Sequence, residues 1–286
     1  MRVIKIYFIL VTLFTATNDA TPNTIPVSLN SSVELLNKLY YGQVEICEAA
    51  ANFLKESAIK CSGVMVHGQE AQETHVWIPS QNDPRKAVSF SYLRYDIPTS
   101  KLYNPAGFIY DQFNSSVLDY YCLYPFDADT VNTDFHPSSS HGCGLSGTDY
   151  KENDFASCPK VSVATSDEFI QKYLKNREPQ PQLRESCSFI ADKKEGFEAS
   201  INVQKETKSP YWNELIMSNW TEAEARTLPI TAFFYIFGSD AGRRTALRFQ
   251  ADYCSMYKKF IPVVSLDFKK EADAFKGSLD DQQPCP

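Results

Sequence analysis

Eight cysteines constrain this chain more than any other feature: Cys47, Cys61, Cys122, Cys143, Cys158, Cys187, Cys254 and Cys285. No two form a CxxC pair, so a tetrahedral zinc site built on close thiolates is not expected. The N-terminus says where they are oxidised. Arg2 and Lys5 open it, "IYFILVTLF" (Ile6–Phe14) is a short apolar run, and "TATNDA" supplies small residues for cleavage. Residues 1–20 therefore read as a signal peptide. The run is too short to span a bilayer, which takes about 20 apolar residues. An even cysteine count behind a secretory signal reads as a disulfide framework in a secreted, extracellular protein. Eight cysteines allow on the order of a hundred pairings. Cys47 with Cys61 is the favoured single pair, because they flank one short helix-like segment.

The chain is 286 residues long, 43% hydrophobic and 22% charged, enough apolar material for a core and too little charge for disorder. Its formal net charge of −7 argues against a nucleic-acid surface, which needs clustered Lys and Arg. No later segment is long enough to span a membrane, so no membrane span is expected.

Residues 31–60 repeat in a helical way, with Val33, Leu36, Leu39 and Tyr40 on one face. Four segments rich in Val, Phe and Tyr follow: "CSGVMVHG" (Cys61–Gly68), "AVSFSYLRYD" (Ala87–Asp96), "GFIYDQF" (Gly107–Phe113) and "DYYCLYPF" (Asp119–Phe126). They read as an antiparallel sheet joined by short turns. Residues 127–160 have no period and read as a long loop pinned by two cysteines. A helix is expected near Ser166–Lys175.

In "SPYWNELIMSNW", Ser209 can cap a helix that starts at Pro210, with Trp212, Leu215, Ile216 and Trp220 on its apolar stripe. That wheel turns Glu214 toward solvent and leaves Asn213 at the margin. "LPITAFFYIF" (Leu228–Phe237) reads as a buried strand, followed by a helix with Phe249, Tyr253, Met256 and Tyr257 inward. "FIPVVSLDF" (Phe260–Phe268) reads as a strand parallel to the first. The expected fold is α+β: a single domain over residues 21–286, mainly an antiparallel sheet with flanking helices and a C-terminal strand–helix–strand unit, held by disulfides.

Three constellations could carry chemistry. "GSDAGRR" (Gly238–Arg244) enters a helix from a buried strand, where free N–H groups with Arg243 and Arg244 suit a phosphate; a tight turn with solvated arginines is the competing reading. In "SFSYLRYD" (Ser89–Asp96), Ser89, Ser91 and Leu93 share one face, and Phe90, Tyr92 and Arg94 the other. Such an arginine can grip phosphate, or it can sit at a sheet margin paired with a carboxylate. His141 and Cys143 suggest a thiol–imidazole pair, but a cysteine in a disulfide-rich chain is expected to be oxidised and inert. The four histidines show no HExxH spacing.

Several blocks occur in one order: "CSGVMVHG", "VSFSYLRYD", "GFIYDQF", "CLYPFDADT", "HGCG", "WNELIMSNW", "LPITAFFYIFG" and "ADYCSMYKKFIPVVSLDF". In these the chain resembles the halovibrin family of secreted bacterial proteins, over residues 31–268. Cys254 and Cys285 lie outside the cysteine pattern of that family. The resemblance implies a secreted NAD glycohydrolase that cleaves the nicotinamide–ribose bond. Its alternatives are transfer of ADP-ribose to a host protein, and a non-catalytic disulfide-rich binding protein. NAD is then the substrate, and neither a cofactor nor a metal is expected.

Cleavage of an N-glycosidic bond passes through an oxocarbenium-like ribose. It needs a carboxylate near that cation, donors for the pyrophosphate and an aromatic wall for nicotinamide. Under the implied activity, Glu214 is the candidate carboxylate and Asp129 the reserve. Arg94, with Arg243, would hold pyrophosphate. Tyr92, Trp212 and Tyr235 are wall candidates. Asn213 and Gln250 would bond ribose hydroxyls or the amide, and Ser91 is a further contact.

Overall fold

Valine, phenylalanine and tyrosine suit a pleated surface buried on both sides, and in the computed structural model of the chain these residues build one sheet. The structure describes residues 27–42, 59, 62–69, 88–112, 120–128, 157–175, 181, 183, 186–191, 194–217, 229–269 and 273–285. The strands are β1 (Val64–Gly68), β2 (Val88–Leu93), β3 (Ala106–Tyr110), β4 (Tyr120–Tyr124), β5 (Phe189–Ile190), β6 (Glu214–Met217), β7 (Ile230–Ile236), β8 (Val263–Leu266) and β9 (Phe275–Lys276). Their order across the nine-stranded sheet is β5-β4-β6-β2-β1-β3-β7-β8-β9. All neighbours are antiparallel except β7 and β8. That parallel pair is joined through a helix, as parallel strands require, so the C-terminal strand–helix–strand unit is present.

Helices cover both faces. We number them α1 (Val27–Tyr40), α2 (Ser166–Phe169, continuing as a wider turn to Leu174), α3 (Lys194–Thr207) and α4 (Asp240–Tyr257). On one face Phe90, Tyr92, Phe108, Leu215 and Phe233 pack against Phe197 and Ile201 of α3 and Phe249 and Tyr253 of α4. On the other, Val64, Val66, Leu93, Ile109, Phe234 and Val264 pack under Leu36, Leu39 and Tyr40 of α1. A third cluster joins Phe169, Leu174, Phe189 and Val203 beside the Cys158–Cys187 disulfide.

Two disulfides are placed in full. Cys158–Cys187 and Cys254–Cys285 have Cα separations of 4.8 and 5.6 Å, inside the usual range of roughly 4.4–6.8 Å. Cys122 is also disulfide-bonded. Cys47, Cys61 and Cys143 lie outside the described residues, as do the signal segment, His141 and Asp129. Among the described residues no helix is long and apolar enough to cross a membrane. Disulfides fit an oxidising compartment.

The helix expected to start at Pro210 is not formed over the described residues 210–217, and Trp220 lies outside them. Glu214–Met217 is strand β6, and all four of its residues are buried. It is paired to β2 on one side and β4 on the other. Four apolar-rich residues satisfy either period. Two ladders of backbone hydrogen bonds and burial on both faces outweigh the local helix signals of Ser209 and Pro210. Met256, placed inward on α4 from the sequence, is 42% exposed. The inner stripe of α4 is Ala246, Phe249, Gln250, Tyr253 and Cys254.

Candidate functional site

Strand alternation puts every second residue on the same face. In β2, Ser89 and Ser91 therefore share the α1 face with Leu93, and the pairing Val66↔Ser91 continues that row into β1. The β2–β6 register, Phe90↔Leu215, sets Glu214 opposite Ser91 on the same face. Here α1 no longer covers the sheet, and a cleft of about 220 Å³ opens. It is lined by Val66 to Gly68, Ser89 to Ser91, Leu102 to Asn104, Asp127 and Trp212 to Glu214. Gly68 leaves the wall its room: a Cβ there would lie 3.1 Å from that of Asn104.

Two loop segments make the rim and are tied together. The backbone N–H groups of Ser100 and Lys101 both donate to the Pro210 carbonyl, at 2.9 and 3.0 Å. The Thr99 hydroxyl donates to the Tyr211 carbonyl at 3.3 Å. These bonds bring Tyr103 and Trp212 edge to face, with ring centroids 5.9 Å apart. Tyr211 continues the row at 6.2 Å from Trp212, and the Lys101 ammonium sits 4.9 Å from the Tyr211 ring centre. Tyr103 is 70% exposed, so it offers a ring face at the mouth.

Glu214 lies below this rim and is buried. Its Oε1 accepts from the Ser89 hydroxyl at 2.7 Å and its Oε2 from the Ala128 backbone N–H at 3.1 Å. A buried carboxylate is costly unless it is hydrogen-bonded, and both oxygens are. Ser89 is itself held by its carbonyl, which accepts from His67 Nδ1 at 2.7 Å. The His67 ring packs on the opposite face of the sheet, with centroids 5.7 Å from Phe90 and 5.0 Å from Phe108. It acts as a strut under the serine.

Asn213 carries on the β2–β6 ladder with its side chain. Oδ1 accepts from the Tyr92 N–H at 2.7 Å, and Nδ2 donates to the Tyr92 carbonyl and to Gln204 Oε1, each at 2.9 Å. The amide stands in for a backbone unit, and its hydrogen bonds go to the protein. It fixes the position from which Glu214 starts.

Of the residues chosen from sequence, Glu214, Asn213, Trp212 and Ser91 come together at this cleft. The others do not. Arg94 forms a two-point ion pair with Asp96 and lies over the Phe197 ring at 5.7 Å. The Lys205 ammonium joins Asp96 at 2.8 Å. Burial raises the Asp96 pKa, but Arg94 and Lys205 outweigh it and hold the carboxyl below its usual range. Of its two sequence readings, Arg94 matches the margin arginine paired with a carboxylate. Tyr92 points into the core below it, where burial pushes its hydroxyl up to about 12 and where it donates to the Ser62 carbonyl.

Tyr235, Arg243 and Gln250 gather elsewhere, under the C-terminal segment. Tyr235 donates to Asp281 at 2.7 Å, and burial together with that bond raises its pKa to about 12. Arg243 pairs with the same Asp281 and donates to the Asp280 carbonyl at 2.9 Å. Gln250 donates to the Ile261 carbonyl at 2.8 Å and accepts from the Gln283 N–H at 2.7 Å. With Cys254–Cys285 these contacts strap the C-terminus over α4 and β8. The "GSDAGRR" turn is thus a helix start capped by Ser239, whose first arginine serves the strap.

Ser89, Asp127, Tyr103 and Asn104 were not among the sequence candidates. Ser89 had a readable signal: with Ser91 it is one of two hydroxyls alternating in an otherwise apolar strand of a sheet buried on both sides. Tyr103, Asn104 and Asp127 sit in connecting segments, and nothing local marks them. No protein-family model, curated protein or solved structure matches the chain.

Proposed function

We propose that this protein is a secreted NAD glycohydrolase that breaks the nicotinamide–ribose bond at this cleft. One observation carries the reading: a glutamate with both oxygens hydrogen-bonded is buried beneath a tryptophan–tyrosine rim. The resemblance to halovibrins supports it independently, because the block "WNELIM" supplies both Trp212 and Glu214.

In this reading the pyridinium ring of NAD stacks at Trp212 and Tyr103, where a cation over an aromatic face is favoured by about 0.5–2 kcal/mol. The cleft is smaller than the roughly 300–1,000 Å³ of pockets that bury a whole drug-sized ligand. It takes the ring and the adjoining ribose and leaves the rest of the dinucleotide outside. Glu214 faces C1′ of that ribose. As the C1′–N bond breaks, its electron pair goes to the nicotinamide nitrogen and positive charge grows on the sugar. A fixed carboxylate stabilises that charge most in the transition state, which is where stabilisation becomes rate.

The purified, oxidised protein is expected to release nicotinamide from NAD in the presence of EDTA. Chromatography of the products checks this, with and without candidate acceptor proteins. Intact NAD would end the proposal, and ADP-ribose found on an acceptor rather than free would make the protein a transferase. Arg94→Ala is expected to leave KM for NAD unchanged within about twofold while lowering stability by about 1–3 kcal/mol, because its guanidinium is committed to Asp96. A large rise in KM with unchanged stability would put Arg94 back on the substrate.

A further inference from the structure

A second acidic residue lines the cleft. Asp127 lines it with Glu214, and the residue after it, Ala128, donates its N–H to Glu214 Oε2 at 3.1 Å. Standard peptide dimensions then keep the Asp127 Cα within about 5.5 Å of that oxygen. The Asp127 backbone is anchored in turn, since its carbonyl accepts from the Leu183 N–H at 2.8 Å. The backbone on both sides of the Asp127 side chain is thus held beside Glu214.

The two carboxylates differ in surroundings. Glu214 is buried and both its oxygens already accept hydrogen bonds, one from a backbone N–H that cannot turn away. It is a stationary negative charge. Asp127 is half-buried and lines the same cleft, more exposed to solvent than Glu214. One group suits charge stabilisation, the other proton transfer. In enzymes that cleave glycosidic bonds by inversion, one of two carboxyl groups is the base that activates water and the other protonates the leaving group; nicotinamide leaves neutral and needs no such proton.

Resting on the NAD glycohydrolase reading, we infer that Asp127 is the general base that activates the attacking water. The C1′–N bond breaks and its electron pair leaves with neutral nicotinamide. Water oxygen then bonds to C1′, and its proton passes to the Asp127 carboxylate and on to solvent. The products are ADP-ribose, nicotinamide and one proton, so charge and atoms balance. Asp127 has no part in breaking the C1′–N bond. It therefore matters only when the incoming nucleophile must lose a proton.

That asymmetry is the test. Wild type and Asp127→Asn are each given NAD, once in water alone and once with labelled nicotinamide. Re-addition of nicotinamide to the ribosyl cation regenerates labelled NAD and needs no base. General-base catalysis contributes about 10²–10⁴-fold, so Asp127→Asn is expected to lose hydrolysis by that factor and keep exchange within about threefold. Azide, a nucleophile with no proton to lose, should restore nicotinamide release in Asp127→Ala by forming ADP-ribosyl azide. Equal loss of exchange and hydrolysis, or unchanged hydrolysis, would overturn the role. A folded Asp127→Ala that azide does not rescue would overturn it too. If Asp127→Ala does not fold, the exchange-to-hydrolysis ratio of Asp127→Asn decides alone. Wild-type protein that releases no nicotinamide would overturn the glycohydrolase reading, and Asp127 as its base would fall with it.

Discussion

Glu214→Gln is expected to lower kcat for nicotinamide release about 10²–10³-fold, the usual cost of removing one electrostatic group aimed at a transition state. KM should change little. Glutamine keeps the side chain's length; its carbonyl oxygen can still accept from the Ala128 N–H while its amide donates to the Ser89 hydroxyl oxygen, so the cleft should keep its shape. Only the charge is lost, and the charge acts on a cation that exists late in the reaction, so kcat and kcat/KM should fall together. Steady-state kinetics with a thermal melt of each protein checks this. A variant that turns over like wild type would remove Glu214 from the chemistry. Asp129→Asn is the companion measurement, because Asp129 is the reserve carboxylate from the sequence and lies outside the described residues. Loss of turnover in that variant alone would move the essential charge to the long loop.

Asn213→Ala should cost mainly stability, and reach the chemistry only through the placement of Glu214. The substitution strips a partner from the Tyr92 N–H, the Tyr92 carbonyl and Gln204 Oε1, all in buried surroundings. Each buried group left without a partner costs about 1–3 kcal/mol, and neighbouring losses do not add fully. A total of about 2–5 kcal/mol is expected, read as a lower urea midpoint at unchanged slope. Residual activity per folded molecule should also drop, because Glu214 is the next residue and starts β6 from that anchor. An Asn213→Ala protein of native stability with a raised KM would mean the amide faces ligand instead.

Much of the scaffold was readable from residues alone. β1 to β4, β7, α4 and β8 fall where runs of Val, Phe and Tyr, or a 3.6 period, announce them. α3 is an addition of the structure: Phe197, Ile201 and Gln204 recur on one side of "KEGFEASINVQKET" and are buried. β6 defeated the same method. Its apolar stretch is too short to distinguish two periods, and Ser209–Pro210 mimics a helix start. In the structure Ser209 instead holds a turn, accepting from the Tyr211 N–H at 3.3 Å.

The site was legible in part, and the split has a physical cause. Glu214 and Trp212 came to notice through residue type and the halovibrin-like blocks, while the helix reading turned Glu214 to water. As a strand the same residues put Glu214 under the rim and bring Asn213 to Tyr92, 121 positions away. Arg94, Tyr235, Arg243 and Gln250 have the chemistry a nucleotide site needs, but residue type does not reveal a partner. Asp96 is two positions from Arg94 and could have been guessed. Asp281 is 38 positions from Arg243 and could not.

The sequence by itself determined what depends on neighbours along the chain: the cysteine count, the strand-rich α+β character and the parallel pair at the C-terminal end. Tertiary structure alone decided which polar groups are spent on each other and which face a cleft. That outcome depends on pairings between β2 and β6, and between the rim loops, across more than a hundred residues. Burial sets the chemistry of each carboxylate and arginine, and burial is a property of the packed sheet that no local window contains.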